Sequence, residues 1–196
     1  VSNLITDNSA PIATNLVITR TNEDGELTLS WTNPSDDDFD GIMIRRKLDS
    51  APTSTSNGTL ITNTSKTTNT YTDTGLQGST TYYYSLFAKD SAGNYANPLS
   101  DNNRVRMYKP SNITYTATNN ITYIGWEHSS NVTSFRINKD GGEDTAISVS
   151  INNTGYYTDS DIDAETQYEY NISAYDGTEW SLPASSLITA VDDTEY

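Results

Sequence analysis

With 196 residues the chain is too long for the smallest single domains and suits two of about a hundred residues each. Its 26 acidic residues against 11 Lys and Arg give a formal net charge of −15, which repels nucleic-acid phosphates and anionic membrane surfaces alike. Cysteine is absent, so no disulfide holds the fold, and with a single histidine, His128, most of the usual catalytic parts are missing.

The opening residues Val-Ser-Asn-Leu-Ile-Thr-Asp-Asn-Ser-Ala lack the basic start and apolar centre of a signal peptide, so 1–10 reads as a linker. No apolar run approaches the roughly 18 residues that span a bilayer, and no membrane insertion is expected. After the segment Asn15–Ile18, Leu27, Leu29 and Trp31 step by two, the period of a strand with one face on a core and one in water. Residues 33–41 then place Asp36, Asp37, Asp38 and Asp40 ahead of Gly41, in a loop before a third strand marked by Ile42 and Ile44. The run Tyr-Thr-Asp-Thr-Gly-Leu at 71–76 leads into Tyr82, Tyr84, Leu86 and Ala88, again alternating.

From there the chain repeats itself. Tyr-Thr-Asp-Ser-Asp-Ile at 157–162 stands 86 residues after the run at 71–76, and Tyr168, Tyr170, Ile172 and Ala174 follow at the same offset. Asn112–Tyr115 resembles Asn15–Ile18, and Trp180–Ser185 resembles Tyr95–Ser100. Ile124 and Trp126, then Phe135 and Ile137, supply the alternation between these anchors. No stretch carries a helical stripe, and turn residues recur every eight to twelve positions, so the fold class is all-β: two tandem β-sandwiches of about seven strands each. The boundaries read as domain 1 over 11–107 and domain 2 over 110–190, with 191–196 a second linker; further domains are expected on both sides.

These residues resemble the fibronectin type III family, which places a tryptophan on the second strand and Leu-x-Pro-x-Thr-x-Tyr before the sixth. Copy one has Trp31, then Leu76, Thr80 and Tyr82, with Gly78 in place of the proline; copy two has Trp126, then Ile162, Thr166 and Tyr168, with Ala164 there. The variant resembles domains of bacterial and archaeal secreted proteins. The resemblance implies that Trp31 and Trp126 fill the space between sheets. It also implies that the Tyr82 and Tyr168 hydroxyls bond to backbone a few residues upstream as tyrosine corners. Burying such a ring contributes roughly 4–6 kcal/mol gross.

The acidic loop admits two readings. Asp36, Asp38 and Asp40 offer calcium three side chains, with Asp90 and Asn94 from a neighbouring loop as further oxygens. The EF-hand fails, because the twelfth loop position counted from Asp36 is Lys47 and the flanks are strands. A solvated turn shaped by Pro34 and Gly41 is the simpler reading, since exposed carboxylates about 6 Å apart repel by only about 0.7 kcal/mol in water. Copy two is a control: its loop over 127–134 has no aspartate. No other cofactor is expected.

Tyr83 falls outward by alternation, while Tyr95, Tyr108, Tyr115, Tyr123 and Trp180 cannot be oriented from the sequence. Stacked outward rings would suit a polysaccharide, although strands enrich tyrosine anyway. Asn-x-Ser/Thr acceptors stand at Asn57, Asn63, Asn112, Asn120, Asn131, Asn152 and Asn171, an excess over chance for this composition too small to be evidence of glycosylation. The resemblance points to a non-catalytic, monomeric spacer and interaction module, with an adhesion or domain-spacing role, in a secreted or cell-surface protein. Its partner is a protein or a glycan, not nucleic acid. Two alternatives remain open: an accessory carbohydrate-binding module of a polysaccharide-degrading enzyme, or a ligand-binding receptor segment with its site near Tyr108 and Lys109.

Overall fold

The computed structural model describes residues 9–118, 121–129, 131–143, 145–148, 154–163 and 165–189. The linkers expected at 1–10 and 191–196 thus lie almost wholly outside the described residues, as do Ala164, Asn120 and Asn152. All regular structure among the described residues is β-strand, and no helix is long and apolar enough to cross a membrane. The chain divides between Arg106 and Met107 into two compact units.

The first unit contains β1 (Thr14–Arg20), β2 (Leu27–Thr32), β3 (Phe39–Lys47), β4 (Thr59–Asn63), β5 (Thr70–Asp73), β6 (Thr81–Asp90) and β7 (Leu99–Arg104). They form two antiparallel sheets, ordered β1-β2-β5 and β4-β3-β6-β7. Leu27, Leu29 and Trp31 from one sheet meet Ile42, Ile44, Tyr84 and Leu86 from the other, all buried, as period-two alternation requires. The sequence reading starts the third strand at Ile42, but the strand begins at Phe39, whose ring is also in the core.

Alternation also fails in β6, where Ser85 and Phe87 point to the outer face yet are buried. The connection after β3 lies over that face: the Ser85 hydroxyl is 2.6 Å from the Pro52 carbonyl it donates to and 2.7 Å from Ser100 Oγ. At the bulge between Phe39 and Gly41 the backbone of β3 runs close to Thr64, whose carbonyl would lie 2.1 Å from a Cβ on residue 41. Only glycine fits there.

The second unit repeats the plan with β8 (Ser111–Thr118), β9 (Ile121–Glu127), β10 (Ser134–Lys139), β11 (Thr145–Ser148), β12 (Thr154–Asp159), β13 (Gln167–Tyr175) and β14 (Ala184–Thr189). Its sheets are ordered β8-β9-β12 and β11-β10-β13-β14. The core gathers Ile124, Trp126, Phe135, Ile137, Tyr170, Ile172 and Ile188. Trp126 meets Phe135 edge to face, centroids 5.1 Å apart at 75°. Met107, assigned from sequence to the end of the first domain, is fully buried in this second core.

Candidate functional site

The four aromatic residues expected to be structural have defined partners. Trp31 is buried, and its indole N–H donates to Asn33 Oδ1 at 2.7 Å. The Asn33 amide in turn donates to the carbonyls of Lys66 and Thr68, so one side chain ties the tryptophan to the turn before β5. Trp126 is equally buried, but His128 stands where Asn33 would be, and the Trp126 Nε1 has no hydrogen-bond partner. His128 is half-buried, with its ring 4.9 Å from Phe135. The Tyr82 hydroxyl accepts from the Gln77 N–H at 3.1 Å, and that of Tyr168 from the Asp163 N–H at 2.8 Å.

Beside each of these corners lies a buried polar cluster that alternation conceals. Tyr84 donates to Asp73 Oδ2 at 2.8 Å, and Arg46 reaches the same oxygen at 2.7 Å while its guanidinium sits 5.0 Å from the centre of the Tyr82 ring. In the second unit Tyr170 donates to Asp159 Oδ2 at 2.7 Å, Lys139 approaches that oxygen at 3.0 Å, and Lys139 lies 4.2 Å from the centre of the Tyr168 ring. Burial and then the carboxylate bond push both phenols well above the ordinary tyrosine value. Burial alone would raise the Asp159 carboxyl, but donation from Tyr170, the Asp161 N–H and Lys139 outweighs it and holds the group below its usual value. The signal for this cluster was the Thr-Asp pair repeated at 72–73 and 158–159; its geometry needed the partner strand.

In the acidic loop, Asp36 and Asp37 are exposed and the Asp36 carbonyl accepts from the Phe39 N–H, closing a turn. Asp40 pairs with Lys89 at 2.7 Å. The Asp38 carbonyl accepts from the Ser91 N–H. Asp90 is fully buried and accepts from both the side-chain amide and the N–H of Asn94. Among the described residues, no three acidic or histidine side chains converge as a cation cage requires. The groove beside the loop is lined by Asp40, Gly41, Met43, Asn63, Lys89 and Tyr95, and the Asp40–Lys89 pair is its only charged feature.

Three of the aromatics the sequence left unoriented, Trp180, Tyr123 and Tyr115, take different places, and Tyr156 joins one of them. Trp180 packs on Tyr175, centroids 4.9 Å apart, with the Arg136 guanidinium 4.6 Å from its ring centre, so it closes the turn after β13. Tyr123 and Tyr156 instead stand on the outer face of the β8-β9-β12 sheet, 50% and 72% exposed. Tyr123 is opposite Thr158 and Tyr156 opposite Gly125, which makes the two tyrosines diagonal neighbours about 7–8 Å apart at the backbone. Thr114 and Thr116 of β8 complete the two rows. Tyr115 is also exposed, but its pairing with the inward Ile124 puts it on the other face.

A family model described as the fibronectin type III domain matches residues 9–102. The chain is 30% identical over 188 residues to Exoglucanase B of Cellulomonas fimi; the match takes in 86% of this chain and spans 16% of that protein's length. Among solved structures, a two-domain fibronectin type III segment of chicken tenascin superposes with a TM-score of 0.57 at 18% identity, covering 91% of this chain and 99% of the other. The chicken interferon gamma receptor alpha chain gives 0.56 at 10% identity, covering 95% and 100%. At such identities these two structures speak to the fold alone.

Proposed function

We infer that this chain, whose residues 9–102 match the fibronectin type III model and whose second unit repeats that fold, is a non-catalytic spacer and interaction module of a secreted, polysaccharide-acting protein. The observation that carries this is the similarity to Exoglucanase B over most of the chain, while most of that larger protein remains unmatched. A segment so placed is an accessory to the chemistry. The polar groups of each sandwich support this, because the strongest of them, Asp73 with Tyr84 and Asp159 with Tyr170, are engaged with each other inside the fold. The clustered aspartates of the 33–38 loop give neither the facing carboxylate pair nor the apolar pocket that glycoside hydrolysis needs. An export role also suits a net charge of −15, which keeps the module soluble and apart from anionic surfaces.

The test inserts the chain between a glucanase catalytic domain and a cellulose-binding domain, against a Gly/Ser linker of equal residue number. The expected result is faster sugar release from insoluble glucan with the tandem and equal rates on soluble glucan, because a folded spacer holds reach that a coil does not. Equal rates on both substrates, or sugar release by the isolated chain, would overturn the reading.

A further inference from the structure

We propose that the outer face of the β8-β9-β12 sheet, built around Tyr123 and Tyr156, binds a neutral polysaccharide chain, and that the first domain lacks this activity. The inference deepens the polysaccharide-acting reading above and rests on it for the ligand class.

The two domains supply a position-by-position comparison. The rows Thr114–Gly125–Tyr156 and Thr116–Tyr123–Thr158 lie across the outer face of the second sheet. The repeat superposes them on Val17–Ser30–Thr70 and Thr19–Thr28–Thr72 of the first. Five of the six positions on the first face are small hydroxyl residues, Val17 being the exception, and two of them bond each other, Thr28 Oγ1 to Thr72 Oγ1 at 3.0 Å. In the second, two of the six positions have become large exposed rings, at Tyr123 and Tyr156. Neither ring is demanded by the fold, because the same sandwich stands in the first unit with threonine at both places.

The chemistry of the face selects the occupant. None of the six side chains is charged, and Glu127 in the next row is held by the Asn112 amide at 2.7 Å. A chain with a net charge of −15 repels acidic glycans, nucleic acid and, equally, a second copy of itself. What fits is an uncharged polymer with apolar C–H faces and many hydroxyls. The two phenol rings offer stacking faces on a diagonal, Gly125 sets no side chain between Tyr156 and Thr114, and three threonines flank the rings, the Thr114 hydroxyl donating to the Gly125 carbonyl at 3.4 Å. Both tyrosines are carried on strands of one sheet, so their spacing is set before the ligand arrives and little ordering is needed on binding.

The chain is tested for retention on microcrystalline cellulose and for retardation in native gels containing neutral hydroxyethylcellulose, with anionic carboxymethylcellulose as the charge control. Tyr123→Ala and Tyr156→Ala should each weaken retention about tenfold and the double variant should abolish it. Because both side chains are exposed, melting temperatures should stay near that of the parent. Thr28→Tyr with Thr70→Tyr, on the first domain, should add retention. Two results would overturn the proposal: no retention on any neutral glycan, or retention that survives the double variant. A concentration-dependent dimer dissolved by the double variant would also overturn it, assigning the face to self-association. All of these leave the linker comparison of the preceding section unaffected, so loss of the platform and loss of the spacer reading are told apart.

Discussion

Replacing Tyr84 by Phe removes one oxygen from the interior of the first domain and leaves the ring in place. The hydroxyl donates to Asp73 Oδ2 at 2.8 Å, with Tyr84 fully buried and Asp73 only 5% exposed. A hydrogen bond to a buried charged acceptor contributes about 1.5–3 kcal/mol, and Asp73 keeps one partner in Arg46, so about 2 kcal/mol is expected. The Arg46 bridge is worth less, roughly 1 kcal/mol or below, because a quarter of that side chain remains in solvent and the pair is screened. In a domain of about 100 residues a loss of 2 kcal/mol lowers the melting temperature by roughly 8–16 °C. Calorimetry of Tyr84→Phe, Asp73→Ala and the double variant measures the coupling, with Tyr170→Phe marking which transition belongs to which domain. A coupling of at least about 1 kcal/mol is expected between positions 73 and 84. Additivity within about 0.5 kcal/mol would refute the idea that this bond, and not ring packing, holds the cluster together.

Gly155→Ala should destabilise the second domain by about 1–3 kcal/mol, because the new Cβ would lie 2.1 Å from Trp126 Cε2 and the indole must shift within a filled core; the Trp126 near-ultraviolet dichroism and the urea midpoint report it. The second domain should also lose stability in acid. The folded Asp159 carboxyl titrates below the ordinary 3.8, so its contribution is complete above that value and disappears as pH falls through the lower folded one. Asp159→Asn should flatten that part of the stability profile, measured by urea unfolding between about pH 5 and 2.

The two sandwiches were legible because their information is local. Alternation at Leu27, Leu29 and Trp31, and the return of Tyr-Thr-Asp after 86 residues, depend on neighbours along the chain. Tyr84 and Tyr170 were read as part of an apolar stripe, and their positions in the core were right. That each donates to an aspartate depends on where β5 and β12 pass in the opposite sheet, which no period encodes. The same limit hid Tyr156, for a diagonal pair across β9 and β12 exists only once their register is fixed. Ser85 and Phe87 escaped for a different reason: the alternation was right about the face, but the chain around Pro52 covers it. In the acidic loop the sequence placed Asp40 beside two other carboxylates, whereas tertiary pairing gave it Lys89.

The hydroxyl-covered outer face of the first domain, with Thr28, Ser30, Thr70 and Thr72 on a sheet whose opposite side is fully occupied by the core, is a blank display surface. Side chains there can be exchanged without touching Trp31 or Asp73, so the domain offers itself as a cysteine-free scaffold on which recognition groups can be grafted and ranked by function, with folding held constant.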